Sequence, residues 1–379
     1  MATRDWLVRP PYGILGRSRA ARRAGPAASG MTMRFPVICL VIMLLTACAS
    51  SAPNPTPAPA LLPATAPLPE PGAPQPTVIA AGVRLPGRLL FVRDGTIWMW
   101  QDQTGRPLIG DDQAVQPVWA PDGSAIAYIQ RDQSSSDLMI APLDGGGPLR
   151  LTNNGSRHPP GSFERISDSV WAFYPSFAPD GQTIAYASQY APPSGSPAAE
   201  YHLALFTIPA QPGGVRRLIY ADDTGHVGRV THTPDGSAIV FTLEPAYAGG
   251  SSQIMRYDRT TGTVAPQPDV PSGSYDPAFS PDGRWLAFAG RDGDRTDIFA
   301  VPAAGGTIVR LTGLGTARAP AFSPDGRRIA FLAVAPGETG FDLWVADIRI
   351  IGDSIQASSP RQVSMGLRAD ADSGLSWGK

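Results

Sequence analysis

The side chains able to do chemistry in this 379-residue chain are few and scattered. Four histidines, His158, His202, His226 and His232, show no metal-ligand spacing, and no His-Glu-x-x-His occurs. No Gly-x-Ser-x-Gly is present, so a hydrolase-type serine lacks its usual strand-to-helix turn. The single lysine is Lys379, and the cysteines are Cys39 and Cys48. Asp292-Gly293-Asp294-Arg295-Thr296-Asp297 gathers three carboxylates, a composition that suits a hard cation such as calcium. It lacks the terminal glutamate of an EF-hand, and a structural Asp-Gly turn is its expected role. No cofactor and no metal site is expected.

The elements that position these residues are written in a repeat. Pro-Asp-Gly occurs five times, with its aspartate at Asp122, Asp180, Asp235, Asp282 and Asp325, at intervals of 58, 55, 47 and 43 residues. Intervals of that length belong to propellers and arrays. Each tripeptide follows a segment ending in an aromatic, as in Ala278-Phe279, and precedes a run such as Leu286-Ala287-Phe288. Proline presets φ, aspartate bonds its own backbone and glycine accepts positive φ, so the tripeptide is a tight turn between two strands. A third strand follows, as in Ile298-Phe299-Ala300-Val301, and after a glycine-rich turn a fourth ends in Arg310-Leu311-Thr312. Four antiparallel strands per repeat describe a propeller blade.

Incomplete units at the two ends complement each other. Leu89-Leu90-Phe91, Ile97-Trp98-Met99-Trp100 and Pro107-Leu108-Ile109 read as the second, third and fourth strands of a first blade. Gly374-Leu375-Ser376-Trp377 reads as the missing first strand. The expected fold is all-β, a six-bladed β-propeller over residues 78–379 with blade 1 closed by the C-terminal strand. Such closure removes open sheet edges.

Before the repeats, composition changes twice. Residues 1–30 are arginine-rich without a fold pattern and are expected to be a disordered extension or a mis-called start. Residues 31–47 carry Arg34, an apolar run from Phe35 to Leu45, and small residues before Cys48, the grammar of a secretory signal. Leu45-Thr46-Ala47-Cys48 resembles a bacterial lipoprotein cleavage box, which makes Cys48 the expected lipidation site. Residues 48–77 are rich in proline and alanine and read as an unfolded spacer. Without residues 1–47, which hold seven arginines and one aspartate, 24 basic and 31 acidic residues remain, a net charge of −7. An acidic body argues against nucleic acid as a partner.

The phrase Asp276-Pro277-Ala278-Phe279-Ser280-Pro281-Asp282-Gly283, followed by Leu286-Ala287-Phe288, Asp297-Ile298-Phe299 and Arg310-Leu311-Thr312, resembles the TolB-type β-propeller repeat. The likeness runs over about residues 87–379. It implies six blades and an extracytoplasmic setting. The family's type member carries an α/β domain before its propeller and is soluble in the periplasm. Here a proline-rich spacer and a lipid-anchored, membrane-bound form stand in those places, so the family's envelope partners do not carry over.

Alternating strands place the Pro-Asp-Gly turns on one face of the ring and the long connections on the other. The long segments are Asn153–Trp171, Ser188–Glu200 and Glu244–Ser252. Long loops on a rigid scaffold are where binding resides. Arg157, His158, Trp171, Tyr174, Tyr190, Tyr201, His226 and Tyr247 are the expected binding residues, since aromatics and arginine anchor interfaces. The expected function is non-catalytic binding of a protein, peptide or glycan by a monomer held outside the cytoplasm, on the periplasmic or cell-surface side. The alternatives are a hydrolase or lyase built at the channel mouth from His158, His226 and Asp276, and a TolB-like envelope scaffold.

Overall fold

The computed structural model describes residues 77–78, 83–110, 112–190, 202–246 and 249–379. The extension, the signal segment, Cys48 and the spacer up to residue 76 lie outside the described residues, as do Tyr201 and Tyr247. Six antiparallel blades, five of four strands and the sixth of five, follow one another around a ring, and the innermost strand of each contacts the next. Blade 5 shows the pattern: Ser274–Phe279, Trp285–Asp292, Arg295–Pro302 and Val309–Arg310, ordered from the axis outward. The other inner strands are Ala114–Trp119, Ala172–Phe177, Gly225–His232, Arg318–Phe322 and, last in the chain, Ser376–Gly378. Ser376–Gly378 pairs with Arg88–Arg93, setting Leu89 opposite Trp377, and the Trp377 indole donates to the Pro86 carbonyl at 2.6 Å. Blade 1 is closed by the final strand, as expected.

The repeated residues explain the ring. The aromatics of the second strands, Phe91, Tyr128, Tyr186, Phe241, Phe288 and Phe331, are all buried. Between the blade faces, Ala127, Ala185, Ala287 and Ala330 are fully covered, because only a small side chain fits where two sheets approach on both sides. Each Pro-Asp-Gly is a turn whose glycine N–H donates to the carbonyl three residues back, at 2.8–2.9 Å. In blade 5, the Asp282 carboxylate accepts from the Arg284 N–H and Gly283 holds φ +71°. The other four aspartates do the same two residues on.

Two features exceed the sequence expectation. Thr77–Val78 pairs with Ser364–Met365, so the chain enters the propeller at the outer part of blade 6. The third strand of that blade, Phe341–Ile351, is 11 residues long and forms a hairpin with Ser354–Ala357.

Candidate functional site: the channel mouth

One repeat position supplies the site. Three residues before the terminal aromatic or histidine of each inner strand stand Gln116, Tyr174, Arg229, Asp276, Ala319 and Gly374. Four of these precede a proline and take positive φ: Gln116 +55°, Tyr174 +53°, Asp276 +54° and Ala319 +54°. Proline disfavours the helical region for the residue before it, and left-handed backbone costs a non-glycine residue roughly 1–2 kcal/mol. The strand pairing slips at each of these places, so every one is a β-bulge on the axial channel. The bulges are held from blade to blade. The Gln116 side-chain carbonyl accepts from the Tyr174 N–H at 2.7 Å, and the Asp276 carboxylate accepts from the Ala319 N–H at 3.1 Å.

Charge concentrates at this level. Asp276, only 6% exposed in its side chain, takes Arg229 Nε at 2.9 Å and Arg318 Nε at 3.4 Å. Arg229 continues across the channel from blade 4 to the segment leading into the closing strand, donating to the carbonyls of Asp372 at 2.8 Å and Ser373 at 3.3 Å. Arg318 also reaches the Asp372 carboxylate at 2.8 Å, and that carboxylate is 69% exposed. The two guanidinium groups lie over the rings of Tyr174 and Tyr275 at 5.5 and 5.4 Å. Burial pushes the Asp276 carboxyl up, but Arg229 and Arg318 more than offset it and hold it below the usual carboxylate range. Nearby Glu244 is raised, first by burial and then by the Asp276 charge. Blades 4, 5 and 6 and the closing segment thus meet in one network that crosses the channel.

Along the channel runs a cavity of about 280 Å³, lined by inner-strand residues of all six blades and including Trp119, Phe177, Phe279, Phe322 and Trp377. In blade 4 a histidine takes the aromatic's place. His232 Nδ1 stands 3.1 Å from the Ser176 hydroxyl, which accepts from the His232 N–H at 3.2 Å. Burial, reinforced by Arg259, lowers the His232 pKa to about 4. Motif reading missed this contact, because its partners are 56 residues apart and share no local signature.

The residues expected to bind are dispersed by the structure. Arg157 and His158 lie in the connection from blade 2 to blade 3, where Asp168 stands 3.9 Å from Arg157 Nε and 3.8 Å from His158 Nε2. Buried Arg165 pins that connection through Asp132 at 2.7 Å and the His158 carbonyl at 3.1 Å. Trp171 stacks on Phe173 at 6.0 Å, and Tyr190 is exposed, its carbonyl accepting from Arg216. His226 stacks on His202 at 5.2 Å. Tyr174 stands in the channel wall, within an inner strand. His158 belongs to the blade 2–3 connection, whereas His226 stands opposite Glu244, which feels the Asp276 charge.

The acidic cluster at 292–297 divides in two. Gly293 and Asp294 form the two-residue turn of a hairpin in which Asp292 faces Arg295. Asp297 is buried and accepts from Thr312 Oγ1 and the N–H groups of Leu314 and Gly315, with Arg310 at 2.5 Å. Asp137 holds Thr152, Asn154 and Arg150 in the same way in blade 2. The aspartate opening the third strand therefore latches the fourth. Among the described residues, no three His, Cys, Asp or Glu side chains are grouped to hold a metal ion.

No protein-family model matches the chain. A curated relative, the uncharacterized peptidase YuxL of Bacillus subtilis (strain 168), is 24% identical over 202 residues, covering 51% of this chain. The chain spans only 24% of that protein's length. Among solved structures, TolB from Acinetobacter baumannii is similar with a TM-score of 0.57 at 19% identity, over 77% of this chain and 66% of that one. A chain of a nidogen/laminin complex is similar with a TM-score of 0.51 at 12% identity, over 76% of this chain and 97% of that one. With its six blades and this structural likeness, the chain forms a TolB-like six-bladed β-propeller.

Proposed function

We propose that this propeller is a non-catalytic binding module, held outside the cytoplasm by a lipid on Cys48, that presents its long-loop face and channel mouth to a protein or peptide. A glycan is the remaining ligand class consistent with the mouth. The observation that carries the reading is the meeting of Arg229, Asp276, Arg318 and Asp372 from separate blades at the mouth. These groups are already paired and preorganised, as recognition requires, rather than poised as a nucleophile and its base. The likeness to TolB supports a binding or scaffold role in the cell envelope. A photo-reactive residue in place of exposed Asp372 is expected to give a discrete heavier adduct in intact cells. Adducts obtained only from the Pro-Asp-Gly face would overturn the assignment.

A hydrolase reading is favoured by one contact, Ser176 with His232, and by the peptidase designation of the curated relative. It predicts that a fluorophosphonate probe labels Ser176 and that Ser176→Ala abolishes the labelling. The binding reading predicts no labelling, because burial leaves His232 a weak base.

A further inference from the structure

We infer that the channel mouth receives a primary ammonium group, a lysine side chain or a free chain terminus, in a niche built by Gly228, Thr242 and Glu244 of blade 4 near Asp276 of blade 5. The inference rests on the binding reading above and names the chemistry of its ligand. The niche follows from a glycine. The inner strand Gly225–His232 and its neighbour Ala238–Pro245 lose register between Val227 and Val230, and Gly228 stands in that bulge. Thr242 and Glu244, two residues apart on one face of the second strand, both lean over it. A Cβ at Gly228 would meet Thr242 Cβ at 3.3 Å and Glu244 Cγ at 3.4 Å. A side chain there would press Glu244 away.

Two groups of this niche lack partners. Thr242 is only 1% exposed, and its hydroxyl has no hydrogen-bond partner. Buried hydroxyls are ordinarily bonded, so an unfilled one marks a place for a polar group. Glu244 is half-buried and forms no ion pair or hydrogen bond among the described residues. The cations around it are committed elsewhere. Arg229 serves Asp276 and the carbonyls of Asp372 and Ser373, and Arg318 serves Asp276 and Asp372. Arg291, exposed on blade 5, acts on Glu244 through space without pairing with it. His226 stands across the ladder, its Nδ1 accepting from the Leu203 N–H at 3.4 Å and its ring stacked on His202.

A half-buried carboxylate that feels a second carboxylate is stabilised by a cation brought from outside. An ammonium offers three donors and no acceptor, which matches an unpaired carboxylate and an unfilled hydroxyl oxygen. It is also compact, whereas a guanidinium is a wide plane, and the niche is open only by what a glycine side chain omits. Among the described residues no three His, Cys, Asp or Glu side chains are grouped for a metal ion, so an organic cation is the occupant.

The test is saturation-transfer NMR on the purified full chain with N-acetyl-lysine methylamide as the probe. N-acetyl-norleucine methylamide, the same carbon chain without the ammonium, is the control. The lysine probe should bind about tenfold more tightly than the control, and Glu244→Gln should remove that advantage. Thr242→Val, which deletes the hydroxyl at constant shape, should weaken the lysine probe several-fold. Alanine methylamide, whose only cation is its α-ammonium, identifies the source: tighter binding of it assigns a chain terminus, weaker binding a lysine side chain, and either supports the niche. Equal binding of lysine and norleucine probes, or of wild type and Glu244→Gln, overturns it. An arginine probe that binds as well as lysine overturns the ammonium assignment. Absent binding with non-additive urea stabilities of Glu244→Gln and Arg291→Ala means that Arg291 fills the niche itself, and overturns it too. A cellular adduct at position 372 without lysine-probe binding overturns the niche and leaves the binding module standing. Probe binding without any cellular adduct does the reverse.

Discussion

Gly374 and Arg229 show how one position of the repeat acquires different work in different blades. A Cβ added at Gly374 would stand 2.1 Å from Arg229 Nη1, so the strut across the channel exists only because its far abutment is glycine. Gly374→Ala should therefore cost about 1–2 kcal/mol for its φ of +75° and further stability for the displaced guanidinium. In an Arg229→Ala background only the backbone cost should remain, and urea unfolding of the four-member cycle measures the difference. Additivity would mean that the Gly374 and Arg229 positions are not coupled. At His232 the sign is set by a folded pKa of about 4, below the ordinary 6.5. The unfolded chain binds the proton first, so this stability is complete above pH 6.5 and is lost as pH falls toward 4. The loss across that window is on the order of 3 kcal/mol. His232→Phe, the residue that blades 5 and 6 use there, should flatten stability over that range. An unchanged acid profile would mean that His232 is not the titrating group. Of this mouth, Tyr174 and Asp276 were legible in the sequence as single residues. Their alliance with Arg229, Arg318 and Asp372 was not, because equivalence of position becomes contact only when the ring closes.

At the scale of the strand and turn, the sequence was far more readable. Pro-Asp-Gly carries its geometry locally, and the structure repeats the same hydrogen bond and the same positive-φ glycine five times. The hairpin tip of blade 6 and the entry pairing at Thr77–Val78 were not readable, since neither belongs to the repeat and both depend on what lies beside them. Two aspartates of blade 5 separate a turn former from a latch. Asp282 sits at the surface with its bonds to Ser280 and Arg284, whereas Asp297 is buried with bonds from two backbone N–H groups and Thr312. Asp297→Ala strands those donors and should cost about 3–5 kcal/mol, as for a buried ion pair broken on one side. Asp282→Ala, which removes a solvent-facing cap, should cost about 1 kcal/mol. Equal costs in urea titrations would show that the latch adds nothing beyond an ordinary turn bond.

For the whole molecule, closure is the step that turns six similar sheets into one site. Trp377 docks at Pro86 and Leu89, and the same terminal segment places Asp372 and Ser373 under Arg229 and Arg318. Stability and the geometry of the mouth are therefore coupled: a change that loosens the last strand loosens the mouth. Hydrogen–deuterium exchange on the protein in its native membranes, against the purified protein alone, tests the claim that this mouth is the recognition surface. Slower exchange is predicted for amides at 226–231, 318–319 and 368–374, with the Pro-Asp-Gly turns of blades 2 to 4 unchanged. Protection confined to those turns, with the mouth exchanging as in the isolated protein, would contradict it.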